Sequence, residues 1–379
     1  MSVAVRPPRI MVRGSGSYLW DHEGTRYLDF VQGWAVNALG HAPPEIAAAL
    51  QAQALTLISA SPAFHNAPQL SFALELTRAA GLAQVHFTNS GAEANEAALK
   101  LARKWGRLQR GGAHQIITTL GSFHGRTLAL MAASGKPGWD ALFPPSMPGF
   151  AKVPYGDLPA VEAQIGPETV AVMVEPIQGE AGVVVPPEGY LRGLRGLCDA
   201  RNLLLICDEV QTGMGRTGSL FAFEREGVKP DILTLGKGLG GGVPISAVLA
   251  NERASCFVAG DQGGTYNGNP LMVAAARSVF GVVSGPEFLA TVRARGRYLQ
   301  QRLAPLCTEH GIALRGRGLL WALLLPEPSA EAIVARCFTA GLLINAPRPN
   351  LLRLMPSLRV SEAEIDQLCA LLEPALTTR

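Results

Sequence analysis

A repeating alternation that begins near residue 70 constrains this chain more than any other feature. Five short runs are almost continuously apolar: Gln84–Phe87, Gln115–Thr119, Val170–Glu175, Leu203–Asp208 and Ile232–Leu235. Helix-like stretches at 69–80, 91–109, 158–165 and 188–201 stand around and between them. Strands that are apolar on both faces and separated by helices predict a mainly parallel sheet covered on both sides, an α/β fold.

The two ends of the chain depart from this rhythm. Residues 17–31 read as a β-hairpin, with aromatic-rich runs around the turn signal Asp21-His-Glu-Gly24. Residues 43–58 read as a helix opened by Pro43 and Pro44, with Ile46, Leu50 and Leu57 on one side. The segment Gly263–Pro270 breaks the alternation. Helices are expected at about 270–283 and 287–304, strands at 312–325 and 351–355, and a closing helix at 361–376. The hairpin has no partner in the α/β core. Both termini are therefore expected to build one smaller α+β domain from 1–48 and 267–379, beside a large domain over 49–266. For 379 residues, two to three domains is the ordinary expectation.

Composition excludes several classes. Apolar residues make up 48% of the chain and charged residues 17%, which rules out a disordered chain. The net charge is +3 with no Lys/Arg run, so no nucleic-acid footprint is present. Six scattered cysteines form no CxxC and no Cys/His cluster of zinc spacing. They read as buried thiols of a reducing compartment, and no metal is expected. Residues 1–8 lack the apolar core of a signal peptide, and no run approaches the roughly 20 apolar residues of a membrane span. A cytoplasmic enzyme without a membrane partner is the expectation.

Three segments carry chemistry. Thr88-Asn-Ser90-Gly91-Ala92-Glu93 joins a strand to a strong helix, and its free N–H groups offer a phosphate site. The same residues also read as a capping box of Ser90 with Glu93. Cys207-Asp208-Glu209-Val210-Gln211 puts two carboxylates at a strand end, where α/β sheets bind ligands. Gly236-Lys237-Gly238-Leu-Gly240-Gly241-Gly242 sets a lysine in a bed of glycines. Such glycines let a flat, bulky group approach the backbone, and a buried lysine loses its proton and becomes a nucleophile. An exposed turn lysine is the alternative. Gly213-Met-Gly215-Arg-Thr-Gly218 is a literal GxGxxG, which keeps open a nicotinamide-dependent dehydrogenase. However, it lies mid-chain, follows two acids and opens no clear helix. A phosphate cradle, a strand-end acid and a nucleophilic lysine together are what pyridoxal phosphate requires.

The motifs SGAEANEAALKLAR, FHGRT, EPIQGE, DEVQTGMGRTG, LGKGLGGGVP and TYNGNPL follow one another in the order seen in class III aminotransferases of the ornithine and acetylornithine type. The chain resembles that family from about residue 17 to its end. The resemblance implies the fold-type-I architecture, a homodimer with shared sites, and pyridoxal 5'-phosphate as cofactor. It makes Lys237 the lysine that carries the cofactor, and Asp208 the partner of its ring nitrogen. Gln211 comes near the ring hydroxyl, and Phe123 stacks on the ring. Ser90, Gly91 and Ala92 hold the phosphate, and Thr265 reaches the phosphate of the neighbouring subunit. His124 reads as structural. Arg126 and Arg353 match the substrate-carboxylate arginines. Glu180 matches a glutamate that neutralises the second of them.

Gly33 stands where ornithine enzymes carry a tyrosine, which favours an acylated donor. The implied reaction passes the terminal amino group of N-acetylornithine to 2-oxoglutarate, in arginine biosynthesis. Other ω-amino donors (ornithine, succinylornithine, 4-aminobutyrate, an acylated lysine intermediate) are the near alternatives. Trp34, Gly264 and Asn267 depart from the family pattern, and Trp34 and Gly264 do so where acyl-group choice is expected.

Overall fold

The computed structural model describes Met1 and residues 6–377. Of residues 1–8, in which no leader core is read, residues 2–5 lie outside the described residues. The N-terminal meander is β1 (Met11–Ser15), β2 (Tyr18–Asp21) and β3 (Arg26–Asp29), all antiparallel. The expected hairpin is β2–β3. Its turn is fixed by the Asp21 carboxylate, which accepts from the N–H of Glu23 at 3.0 Å and of Thr25 at 2.9 Å. The edge strand β1 gave no apolar signal because it is mostly exposed.

The central sheet comprises β4 (Gln84–Thr88), β5 (Gln115–Thr119), β6 (Phe150–Val153), β7 (Thr169–Val174), β8 (Leu204–Asp208), β9 (Ile232–Leu235) and β10 (Ser246–Ala250). Their order is β4-β10-β9-β8-β7-β5-β6. Only β10 runs antiparallel to its neighbours; every other pairing is parallel. The strands from β7 to β10 are buried throughout, as their apolar runs require.

The C-terminal part adds β11 (Ala313–Arg317), β12 (Leu320–Leu324), β13 (Leu342–Leu343), β14 (Asn345–Arg348) and β15 (Leu351–Leu354). The run expected as a strand over 312–325 is a hairpin, β11–β12, because Gly318 turns the chain at φ +58° against the backbone of Arg216 and Thr217. β13 pairs in parallel with β3 (Leu342 with Leu28, Leu343 with Asp29), so the two ends of the chain share one sheet. The helix predicted over 43–58 is shorter, Pro44–Ala54. Leu57 lies beyond it and is exposed, and of the expected stripe only Ile46 is buried. One apolar cluster runs from Leu28 and Phe72 through Leu233 to Leu323 and Leu372, joining the central sheet to the C-terminal elements.

Gln32, Gly33, Trp34 and Ala35 all have positive φ, from 48° to 65°. Left-handed backbone costs roughly 1–2 kcal/mol per non-glycine residue, so surrounding bonds must impose it. The Asp29 carboxylate accepts from the N–H of Val31 (2.8 Å) and of Gln32 (3.0 Å). It also meets His41 Nε2 at 2.8 Å.

At the far end of the sheet, buried Asp231 pins three strands. It accepts from Leu205 N at 2.7 Å, Asn251 Nδ2 at 2.8 Å and Arg195 Nη1 at 2.8 Å. Asp231→Ala leaves these donors unpaired and is expected to cost about 3 kcal/mol of stability in urea denaturation. A loss under about 1 kcal/mol would class the cluster with ordinary surface pairs.

Candidate active site

Asp208 closes β8, at the carboxyl edge of the sheet where ligands bind in such folds. It is 4% exposed. Its Oδ2 meets Asn95 Nδ2 at 2.8 Å and His124 Nδ1 at 2.8 Å, and its Oδ1 accepts from Val210 N at 3.1 Å. Asn95 is itself fixed, donating to His124 O at 2.7 Å and accepting from Thr234 Oγ1 at 2.7 Å. Burial opposes the His124 imidazolium. The hydrogen bond and charge of Asp208, with the charge of Glu175, outweigh it and raise the His124 pKa.

The adjacent acid, Glu209, points elsewhere. It accepts from the N–H of Ala222 (2.7 Å) and Phe223 (2.8 Å) and from Thr212 Oγ1 (3.2 Å), and it holds the following loop together. Of the two strand-end carboxylates, only Asp208 faces the cavity. That cavity, of about 260 Å3, is lined by Gly91, Ala92, Asn95, Phe123, His124, Gly125, Arg126, Glu175, Asp208, Val210, Gln211 and Lys237.

Lys237 follows β9 and opens a short 3-10 turn with φ +43°. Its accessible part borders the cavity. Burial lowers its pKa, Glu180 counters that, and Arg353 adds to it. Two of the glycines after Lys237, Gly240 and Gly241, make room for the protein itself. A Cβ on Gly240 would lie 2.1 Å from Val243 O, and one on Gly241 2.7 Å from Ile46 Cδ1. Gln211 is buried, and neither its Oε1 nor its Nε2 has a partner among the described residues. An amide left so in a cavity wall is a place for a ligand's polar group.

The capping box also forms. Ser90 Oγ accepts from Glu93 N at 3.2 Å, and Glu93 Oε2 accepts from Asn89 N (2.6 Å) and Ser90 N (3.2 Å). Ser90 is exposed and does not line the cavity, whereas Gly91 and Ala92 do. Phe123 meets Trp139 edge-to-face at 5.7 Å, and the Arg126 guanidinium lies 5.4 Å from the Trp139 ring centre. Arg353 is wholly buried and pairs with Glu180, Nη1 to Oε1, at 2.7 Å. Gly264 and Thr265 are exposed on a loop and line no part of this cavity. Asn267 ties that loop to the helix start, accepting from Asn89 Nδ2 at 2.9 Å and meeting His86 Nε2 at 3.1 Å.

The glycines of the GxGxxG match are turn and packing positions. A Cβ on Gly215 would lie 2.8 Å from Val283 Cγ1, and one on Gly218 2.7 Å from Arg293 Cγ. No helix opens at Gly218, so the dinucleotide reading has no structural basis.

The model of the family "Aminotransferase class-III" matches residues 1–376. The chain is a class III aminotransferase. It is 54% identical over 372 residues to acetylornithine aminotransferase 2 of Bordetella bronchiseptica, covering 97% of this chain and 94% of that one. It is 52% identical over 384 residues to the acetylornithine aminotransferase of Ralstonia nicotianae, covering 99% and 96%. Among solved structures, N-acetylornithine aminotransferase from Stenotrophomonas maltophilia K279a superposes with TM-score 0.85 at 37% identity, covering 98% and 96%. Ornithine aminotransferase from Toxoplasma gondii superposes at TM-score 0.92 and 34% identity, covering 99% and 92%. The aminotransferase depends on pyridoxal phosphate and has the expected fold, a mainly parallel seven-stranded sheet. Among its described residues, no helix is long and apolar enough to cross a membrane.

Sequence reasoning missed Asn95, Thr234, Glu175, Lys136 and Trp139. A polar Asn95 on the apolar face of the helix Gly91–Gln109 was the one readable signal. Glu175 accepts from Phe123 N (3.1 Å) and Gly179 N (3.3 Å). Burial pushes its carboxyl up to about 7; His124 pulls it down and Asp208 adds to the rise. With an ordinary value near 4.5 in the unfolded chain, the folded aminotransferase holds a proton that the unfolded chain releases between about pH 4.5 and 7. That contribution is full below this window and is lost as the pH rises through 7. Glu175→Gln should remove it. Against the variant, the wild type is expected to lose up to about 3 kcal/mol between pH 5 and pH 8 in urea titrations. Parallel curves for the two proteins would contradict the assignment.

Proposed function

We propose that this aminotransferase moves the terminal amino group of N-acetylornithine to 2-oxoglutarate, giving N-acetylglutamate semialdehyde and glutamate. The observation that carries this reading is the Arg353–Glu180 pair at 2.7 Å beside the Lys237 cavity. With Glu180 on Arg353, the site accepts a donor whose reacting end has no carboxylate. With Glu180 displaced, it accepts the carboxylate of a keto acid through a planar guanidinium. Gly33, where a tyrosine would contact a free α-amine, leaves room for the acyl group. The relatives named acetylornithine aminotransferase support the same choice.

The residues present fit pyridoxal phosphate. The unpartnered Gln211 amide, the fixed Asp208 carboxylate and the helix start at Gly91–Ala92 border one cavity with Lys237. When bound, the cofactor supplies the electron sink that lets the substrate C–H bond break. Asp208 would hold the ring nitrogen proton, backed by Asn95 and His124. Gln211 would meet the ring hydroxyl and Phe123 the ring face. Ser90, Gly91 and Ala92 would take the phosphate, Gly91 and Ala92 through backbone N–H groups at the positive end of the helix. Lys237, with its pKa lowered by burial, would take the proton from the substrate carbon and return it two atoms away, across the intervening nitrogen. Arg126, free of any ion pair among the described residues, would bind the substrate α-carboxylate.

Gly264 and Thr265 fit the site of a second subunit better than their own, which favours a homodimer. Exposed Phe64, Leu70, Leu74 and Tyr266 give such a dimer apolar surface. A large domain over 49–266, a smaller one from the two termini, and a cytoplasmic location belong to the same reading.

The test is the visible absorbance of the purified holoenzyme, before and after N-acetylornithine without keto acid. The expected result is loss of the cofactor's visible band, with ornithine acting far more slowly. A band that responds to ornithine alone would overturn the acylated donor. Lys237→Ala is expected to lower kcat about a thousand-fold or more. Near-wild-type turnover would remove Lys237 from the reaction.

A further inference from the structure

Lys136 takes no part in the functions assigned so far, yet it lies against the one ion pair on which the choice of substrate turns. Its root is rigid. Gly135 forms a parallel bridge to Leu120, donates to Ser122 O at 3.1 Å and accepts from Gly121 N at 2.9 Å. A Cβ on Gly135 would lie 2.2 Å from Thr119 O, so the chain there is packed directly on the end of β5. The side chain then spans two aromatic faces. Lys136 Nζ lies 4.9 Å from the Phe123 ring centre and 5.2 Å from that of Trp139. Such contacts draw a cationic side chain onto the ring faces.

Glu180 therefore faces two cations. Its Oε1 meets Arg353 Nη1 at 2.7 Å, and its Oε2 lies 3.5 Å from Lys136 Nζ. The two cations are held differently. Arg353 is fixed independently of Glu180: Nε and Nη2 donate to Asn345 Oδ1 at 3.0 and 2.8 Å, and Nη1 donates to Gly179 O at 3.0 Å. Among the described residues Glu180 has no second anchor of that kind, so it is the member of the pair that can leave. A carboxylate displaced within this partly buried site, without a counter-charge, would carry an uncompensated desolvation cost.

We propose that Lys136 is the second seat of Glu180: when a dicarboxylate takes Arg353, the Glu180 carboxylate passes to the Lys136 ammonium. This rests on the reading that Glu180 covers Arg353 for the amino donor and uncovers it for the keto acid. Lys136 is then a positioning residue that acts through Glu180. It lowers the cost of the open arrangement and so sets how well one site serves two unlike substrates.

The test is calorimetric binding of glutarate, an unreactive dicarboxylate, to the holoenzyme, alongside KM for each substrate. Lys136→Met is expected to weaken glutarate about five- to tenfold and to raise KM for 2-oxoglutarate several-fold more than KM for N-acetylornithine. Lys136→Arg, which keeps the charge, should stay within about twofold of wild type. In a Glu180→Ala background, which should bind glutarate more tightly, Lys136→Met is expected to add nothing. An equal loss in that background would mean that Lys136 touches the ligand itself, and the proposal falls. No loss in the single variant also overturns it, while the reading of Glu180 survives if Glu180→Ala still tightens glutarate. If Glu180→Ala leaves glutarate binding unchanged, the gate itself is wrong, and the role of Lys136 falls with it.

Discussion

The site is organised around one buried carboxylate. Asp208 ends a strand that is buried along its whole length, and an ion there is tolerated only if its oxygens are met. The groups that meet them come from separate parts of the chain. Asn95 comes from the helix after β4, His124 from the loop after β5, and Val210 from the turn after β8. Thr234, on β9, orients Asn95. Satisfying this carboxylate therefore fixes the relative heights of three strand ends and one helix start, and these four pieces, with Glu175 at the end of β7, border the cavity. Removing one of these partners would disturb the wall as well as the charge.

The Glu175 carboxyl extends that logic towards Arg353. It accepts from Phe123 N and from Gly179 N. The Gly179 carbonyl accepts from Arg353, and a Cβ on Gly179 would lie 1.6 Å from Gln211 Oε1. Backbone and side-chain contacts thus run from the aromatic wall at Phe123, through Glu175 and Gly179, to Arg353. Arg353 has anchors besides Glu180, since its other donors end on Asn345 and on this backbone.

Residues buried on both faces wrote their structure plainly. The apolar runs of β7, β8 and β9 and the capped helix Gly91–Gln109 were legible because burial and capping leave local marks. Edge strands β1 and β6 were not, since a half-exposed strand needs no apolar run. β10 was buried but hidden behind the glycines and Pro244, which read as loop. In the site, Asp208 and Lys237 stood out by position at strand ends. Arg353 is wholly buried, and it could be named only through a family motif, because nothing local distinguishes a buried arginine from a surface one. Lys136 lies on an irregular loop and Trp139 opens a single 3-10 turn after it, too short for any periodicity to report where a side chain points. The glycine bed was legible as a feature, but two of its members, Gly240 and Gly241, have a cause no local pattern shows, since their missing Cβ atoms make room for Val243, Ile46 and Val279.

Backbone strain is gathered near Lys237. Lys237 has φ +43°, and the left-handed run Gln32–Ala35 lies close by, with the carbonyl of Ala35 3.8 Å from where a Cβ on Gly238 would stand. Neither segment would hold that shape alone. Asp29 clamps the first, and the packed glycines clamp the second. A lysine in an ordinary extended backbone could shift its root by relaxing φ and ψ. One held in a rare well by its neighbours cannot, so the amine moves only by rotating its own side-chain bonds. That is the freedom the role proposed for Lys237 would need, with the root kept still.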